Sequence, residues 1–526
     1  MPEHFRALVF ILAMAAVVFA FSRKPATALA IDPRDFARRR NLWILMTVIA
    51  FVSGDFWIFM AVSAIVLLMA GQGEQNRTAL FLGLLYAVPA YAMAIPGFGI
   101  VQQFFTISWP RLLAIALLLP AFLTIVMRPD RVRFGSMWAD RFIVGILVVN
   151  FGVALYVTTF TNVLRATVFQ AFLDVFLPYY VASRSLRTLQ DFRDTLMTFV
   201  VAAMILAVTA LFESYRSWLL YTALTSALGN PTWGFGDYLG RGGAVRATAS
   251  AGHPIALGFV LAVAIAVACY TRSLVASPLM RRLGLAILVG GMVVSFSRGP
   301  WVGAAAGVLV FLATGRGAGK QVALYTLLAG MAIPVLQMIP GAKVIVDMLP
   351  FIGASEAGSV DYRQSLIDAA FEVIWDSPIF GGVDIYSAEN LQDILVPGQG
   401  GVFVDVVNNY IGVMLATGFV GLSLFVGAFA IALLSVWQAV RRATGEQTEQ
   451  RLLGRALLAA LACVLVTIGT ASSITIIATT YWTFLGIAVA YGRLNAGAAI
   501  SPKPAGLRHP GLEYSRGSRV RPEFER

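Results

Sequence analysis

Arg298 stands in Ser295-Phe296-Ser297-Arg298-Gly299-Pro300, a tight turn between two apolar runs. A guanidinium in that position is partly desolvated and calls for an anionic partner. Its planar, permanently charged fork matches the oxygens of a phosphate. Snorkelling to lipid headgroups, or pairing with a loop carboxylate, satisfies it equally well on position alone. Arg241 and Arg246 flank a Gly-rich stretch that runs on to Gly252-His253-Pro254. Such backbone beside arginines can cradle a pyrophosphate, and it also describes an ordinary flexible loop. Arg363 opens the segment Asp361–Asp376, where pairing with Asp361 or another carboxylate is the plain alternative. Two carboxylates lie close to apolar runs: Asp174 within one and Glu213 at the end of another. An intramembrane carboxylate is a candidate proton relay or the partner of a neighbouring helix.

The elements that must position these residues follow from composition. The 526 residues are 59% hydrophobic and 13% charged, with a mean hydropathy of +0.79. A soluble domain carries roughly 45–50% apolar and about 25% charged residues. Only a bilayer accommodates that excess. Apolar runs long enough to cross about 30 Å of hydrocarbon recur along the whole chain. They fall at about 5–21, 42–53, 55–70, 78–95, 111–127, 142–159, 166–182, 195–214, 255–270, 283–296, 300–314, 321–340, 405–436, 456–470 and 474–491. The expected fold is therefore all-α and polytopic, with about 13–15 transmembrane spans in a single domain over residues 1–491. The short pair around Ser53-Gly54-Asp55 is read as a hairpin, and the first run as a retained helix rather than a leader, since its basic residues follow it.

Charge sets the orientation. With the C-terminus inside, 30 of the 39 basic residues fall in inside segments and only nine outside or in the first span. That split follows the positive-inside rule and explains the net charge of +12 without any nucleic-acid partner. The expected location is a bacterial inner membrane with a cytoplasmic C-terminus. Two long outside segments result, at about 215–254 and 341–404. The second holds nine acidic residues between Asp347 and Asp393. Within it, Leu366, Ala369, Ala370, Val373 and Ile374 follow helical spacing and predict an amphipathic helix, with Tyr362 and Trp375 as interfacial anchors. The tail over 492–526 is basic, rich in Pro and Gly, and reads as disordered. Cys269 and Cys463 are the only cysteines and His4, His253 and His509 the only histidines, so no transition-metal ligand cluster and no cofactor is expected.

Three places together resemble the O-antigen ligase and polymerase-like membrane proteins. Ser297-Arg298-Gly299, followed by a small-residue span, looks like that family's Ser-Arg element. The Arg363 helix ending in Ser377-Pro378-Ile379-Phe380-Gly381-Gly382 looks like its arginine helix. Asn408-Asn409-Tyr410 followed by Gly418-Phe419-Val420-Gly421 is similar to its His-Asn motif with the same spacing to Gly-x-x-Gly. The three fall in order between about Arg241 and Val440. Val407 stands where the family's ligases carry histidine, and valine can neither donate nor accept a proton. The expectation is accordingly a polymerase-type member.

The resemblance implies a metal-independent transfer of an oligosaccharide from a polyisoprenyl-pyrophosphate carrier to a glycan hydroxyl at the periplasmic face. Arg298, Arg246, Arg363 and His253 are the expected catalytic residues. Arg241, Ser297, Asn408, Tyr410, Asp361 and Glu213 are the expected substrate-binding residues. His253, Asp361 and Glu213 are the candidates for a base; Asn408 and Tyr410 read equally well as a helix cap and an interfacial aromatic. The implied partners are a lipid-linked oligosaccharide, membrane lipids and a chain-length regulator or export machinery. A ligase acting on a lipid or protein acceptor, and a transporter or flippase centred on Asp174, are the alternatives.

Overall fold

The computed structural model describes residues 1–97, 103–229, 244–315, 317–324, 357–382, 408–443, 448–474 and 476–500, with Gly99 and strand pieces at 240–241, 396–398 and 401–403. Helix accounts for 79% and strand for 3%, so the all-α, multi-pass architecture holds. Among the described residues, eight helices are long and apolar enough to cross a membrane.

The chain begins with α1 (Glu3–Leu29), α2 (Pro33–Val52), α3 (Phe56–Gln72) and α4 (Arg77–Leu85). The Ser53-Gly54-Asp55 turn does separate two helices. Gly54 takes a positive φ, and the Asp55 carboxylate caps α3 by accepting from the Trp57 and Ile58 N–H groups at 2.8 and 3.0 Å. The span expected over 78–95 is corrected: α4 stops at Leu85, and the chain continues as β1 (Ala92–Pro96) and β2 (Gln103–Ser108), an antiparallel pair joining Ala92 to Ser108. Pro89 explains the stop, because it lacks an N–H and disfavours helical geometry in the residue before it.

Next come α5 (Trp109–Met127), α6 (Trp138–Val157), α7 (Phe160–Ser185) and α8 (Leu189–Arg216). Then follow α9 (Pro254–Thr271), α10 (Pro278–Val293), α11 (Arg298–Ala313) and α12 (Ala357–Asp376). The chain is completed by α13 (Asn409–Arg442), α14 (Thr448–Ile468) and α15 (Ile477–Ile500). The most apolar windows of α8 and α9 are 83% and 89% buried, against 17% and 18% for α6 and α7. A helix apolar on every side belongs in the centre of a bundle, so α8 and α9 form the axis while α6 and α7 face lipid.

The tightest crossing is between α11 and α14. Gly299, Gly303 and Gly307 recur every four residues on one face of α11, and a Cβ at each would collide with Thr470, Thr467 and the Ala459 carbonyl, respectively. This small-residue stripe lets two backbones approach as membrane helices do. The contact order, with Gly299 at Thr470 and Gly307 at Ala459, makes α14 antiparallel to α11.

At the basic end of the bundle, Arg39 is buried rather than solvated. Its Nη1 and Nη2 bond Asp194 at 2.5 and 2.9 Å and its Nη2 bonds Glu74 at 2.8 Å, tying α2 and the turn before α4 to α8. A second buried pair joins Arg184 to Asp140 at 2.7 Å. Asp174 also has an ordinary partner: Arg111 Nη2 meets it at 2.8 Å, beside Gln170.

Most of the span expected at 321–340 lies outside the described residues, as does 501–526 of the tail expected over 492–526; the start of that tail, to Ile500, continues α15 as helix.

Candidate functional site

Three helices begin at one end of the bundle. His253 caps α9, Ser297 precedes α11 and Asn408 caps α13. Gly258 packs against Pro300, which aligns α9 with α11 near their starts. Tyr410 donates from its hydroxyl to the Leu465 carbonyl at 2.8 Å, and its ring lies on Gly469. The start of α13 therefore meets the end of α14, just as the start of α11 does. Three positive helix ends thus share one face, a disposition that favours anions.

The turn carrying Arg298 is held from the side by Arg246. The Arg246 Nη2 donates to Ser297 Oγ at 2.9 Å and its Nε to the Ser295 carbonyl at 3.3 Å. Ser297 Oγ in turn donates to the Ser295 carbonyl at 3.1 Å. The Ser297 hydroxyl is thereby turned away from capping α11. Arg298 is the first residue of α11, half-buried, directly beside this bond. The backbone is strained here: Phe296 has φ 47 and Ala249, in the facing loop, φ 44. Non-glycine residues held in left-handed conformations cluster where surrounding structure over-determines them.

Glu213 supplies part of that constraint. It is fully buried. One carboxylate oxygen accepts from the Leu220 N–H at 3.0 Å, and the other accepts from Thr248 and Ala249 at 3.0 and 2.8 Å. The loop is fixed further where the Ala247 N–H donates to the Val294 carbonyl at 3.2 Å and the Ser250 hydroxyl to the Tyr86 carbonyl at 2.6 Å. Both Glu213 oxygens are thus spent on backbone, and the residue acts as a clamp on the Arg246 loop.

His253 Nδ1 accepts from the Ile255 N–H at 3.2 Å. In the neutral ring this leaves Nε2 carrying the proton, as a donor. Burial first, then the nearby Arg246 cation, pulls its pKa down to about 4, so the ring stays neutral.

Asn408 accepts from the Tyr410 and Ile411 N–H groups at 2.9 and 3.4 Å, which is the capping geometry. The amphipathic helix appears as α12. Leu366, Ala370, Val373 and Ile374 are buried against Ile411, Met414 and Leu415 of α13, with Ala369 at the margin. Its far end is locked to α13 at a break. Gly418 leaves helical geometry at φ 63, which frees the Phe419 and Val420 N–H groups to donate to the Pro378 and Ile379 carbonyls at 2.8 and 3.2 Å. This fixes α12 along the first turns of α13 and carries position 363 back toward the Asn408 end. The side chains of Arg241, Asp361, Tyr362 and Arg363, and all of Val407, lie outside the described residues.

Residues that sequence reasoning passed over complete the rim. Thr470 touches Gly299, and Ser473, three residues on, donates to Asn409 Oδ1 at 2.6 Å. Asn409 is buried beside Ser473. The α14–α15 turn therefore bridges the Arg298 turn and the start of α13. The signal was present as Thr470-Ala471-Ser472-Ser473, a polar patch between two apolar runs.

Residues 283–426 match the family model described as O-Antigen ligase. Over that segment, about a quarter of the sequence, the chain is similar to the O-antigen ligase family. No curated protein matches it. The O-antigen ligase-like segment runs from α10 into α13 and includes Ser297, Arg298, Arg363, Asn408 and the Gly381–Gly418 contact. It supports glycan transfer of the ligase or polymerase type in a multi-pass membrane protein. Arg246, His253, Glu213 and Thr470 lie outside it in sequence yet build the same rim.

Proposed function

We propose that the protein transfers an oligosaccharide from a polyisoprenyl-pyrophosphate carrier to a hydroxyl of a growing glycan, at the periplasmic face and without a metal. The observation that carries this reading is the Arg246–Ser297 hydrogen bond, which sets a second guanidinium beside Arg298 at the start of α11. A lipid-linked donor has to be met at the membrane surface. As the glycosidic bond breaks, negative charge collects on the departing pyrophosphate. Preorganised cations and helix ends in a water-poor site stabilise that charge by several kcal/mol.

In this reading Arg298 and Arg246 bind the pyrophosphate, and Arg363 and Arg241 are assigned the same role. Ser297 orients Arg246. His253 donates from Nε2 to a phosphate or sugar oxygen, and Glu213 holds the loop. Asn408 and Tyr410 set the start of α13 rather than contact sugar. Asp361 is the remaining candidate for a base. The Arg111–Asp174 pair gives Asp174 a structural occupation and removes the main argument for transport.

Reconstitution of the purified chain with polyisoprenyl-pyrophosphate oligosaccharide tests the proposal. A ladder of longer lipid-linked products, unchanged by EDTA, is expected. Transfer only after a lipid or protein acceptor is added would favour the ligase, the activity that names the matching family model. No transfer in either case, from folded protein, would overturn the assignment.

A further inference from the structure

A slot open to its surroundings lies among α1, α8, α9 and α10, at the end of the bundle opposite the Arg298 turn. Its place follows from α9, which starts at His253 and reaches the slot only at Ala268 to Arg272. Both α1 and α10 pack on α8, and Met197 and Met204 of α8 form the slot floor between them. Methionine suits an apolar surface that must accept a flexible chain.

Two features show that the slot is built for more than apolar filling. Ser22 lines it, is only 3% exposed, and its hydroxyl has no hydrogen-bond partner among the described residues. Beside it, Pro25 has no N–H to return to the Phe21 carbonyl, one turn back in α1. At the mouth stand Arg272 and Arg281, both exposed. Arg23, Lys24 and Arg282 follow in the same two segments, and neither 21–29 nor 269–282 contains a carboxylate. The slot thus combines an apolar floor, an unanswered hydroxyl and a cationic rim, the chemistry of a basic pocket between membrane helices for an acidic headgroup.

We propose that this slot binds one anionic glycerophospholipid, with its phosphate between Arg272 and Arg281 and an acyl chain along Met197 and Met204. The polyisoprenyl-pyrophosphate carrier is a poorer fit, since the arginines proposed to receive its pyrophosphate are at the other end of the bundle.

The test uses the full chain purified in neutral detergent, with phosphatidylglycerol or phosphatidylcholine of matched chains added and retention read by native mass spectrometry. One phosphatidylglycerol per chain is expected in preference to phosphatidylcholine. With each arginine near the surface worth about a five-fold factor in attraction, the double variant Arg272→Ala/Arg281→Ala should retain it roughly twenty-five-fold less. Gly284→Leu is the second variant. The nearest atom to a Cβ there is Met204 Cε at 4.0 Å, so the new side chain fills the slot without backbone strain. It should also abolish retention, and it decides the matter should the arginine variant fail to fold. Equal retention of the two lipids, or retention undiminished in Gly284→Leu, would overturn the proposal. Displacement of phosphatidylglycerol by equimolar polyisoprenyl phosphate would overturn it too and give the slot to the carrier. None of these readouts depends on glycan transfer.

Discussion

Gly381 and Gly418 meet backbone to backbone: a Cβ on Gly381 would lie 2.6 Å from the Gly418 nitrogen. A Cβ on Gly418 would overlap the Ile379 carbonyl. Both residues also take positive φ, at 62 and 63. Two segments that sequence shows only as separate motifs are one joint, through which α12 is fixed on α13.

Substituting either glycine should therefore break that joint. Each change adds a left-handed penalty of about 1–2 kcal/mol to a backbone collision. Gly418→Ala is expected to lower the melting temperature of the purified protein and to abolish transfer. Gly152→Ala is the control. It is helical, open on all sides and at no positive φ, and should be neutral or stabilising by up to about 1 kcal/mol. Equal melting of Gly418→Ala and the parent would show that the break is dispensable.

Arg246 uses the geometry of its fork, with separate nitrogens on Ser295 and Ser297. Lysine keeps the charge but cannot reproduce that fork. Arg246→Lys should reduce transfer by about a hundred-fold while leaving membrane levels unchanged, at the low end of the range for one preorganised donor. Full activity in the lysine variant would leave charge alone as the requirement.

The span pattern, the helix–turn–helix at Gly54, the α12 face and the three motifs were legible because each is written in local periodicity or spacing. What was not legible depends on partners far away in sequence. Arg39 reads as one more inside cation, and only the fold brings Glu74 and Asp194 around it. Glu213 reads as an interfacial acid until three backbone N–H groups converge on it. The strand pair at 92–108 was lost because apolar residues around Pro89 carry hydropathy but not helical geometry. Arg246 attracted attention as an outside cation, but its bond to Ser297 spans 51 residues and no local pattern predicts it.

Acid should loosen the loop through His253. Its pKa falls from an unfolded value of about 6.5 to about 4 in the fold. The unfolded chain therefore binds the extra proton between those values, and the stability from the neutral ring is complete above about pH 6.5 and lost as pH falls toward 4. His253→Asn keeps a capping side chain and removes the titration. Melting curves between pH 4.5 and 7.5 should fall more steeply with acid for the parent than for this variant. Parallel curves would show that His253 does not titrate as placed.

The most direct test of the central claim compares the parent and Arg298→Ala in proteoliposomes supplied with polyisoprenyl-pyrophosphate oligosaccharide. The parent should build longer lipid-linked products, and Arg298→Ala should build none although it melts and inserts like the parent. Products of normal length from Arg298→Ala would contradict the account at its centre.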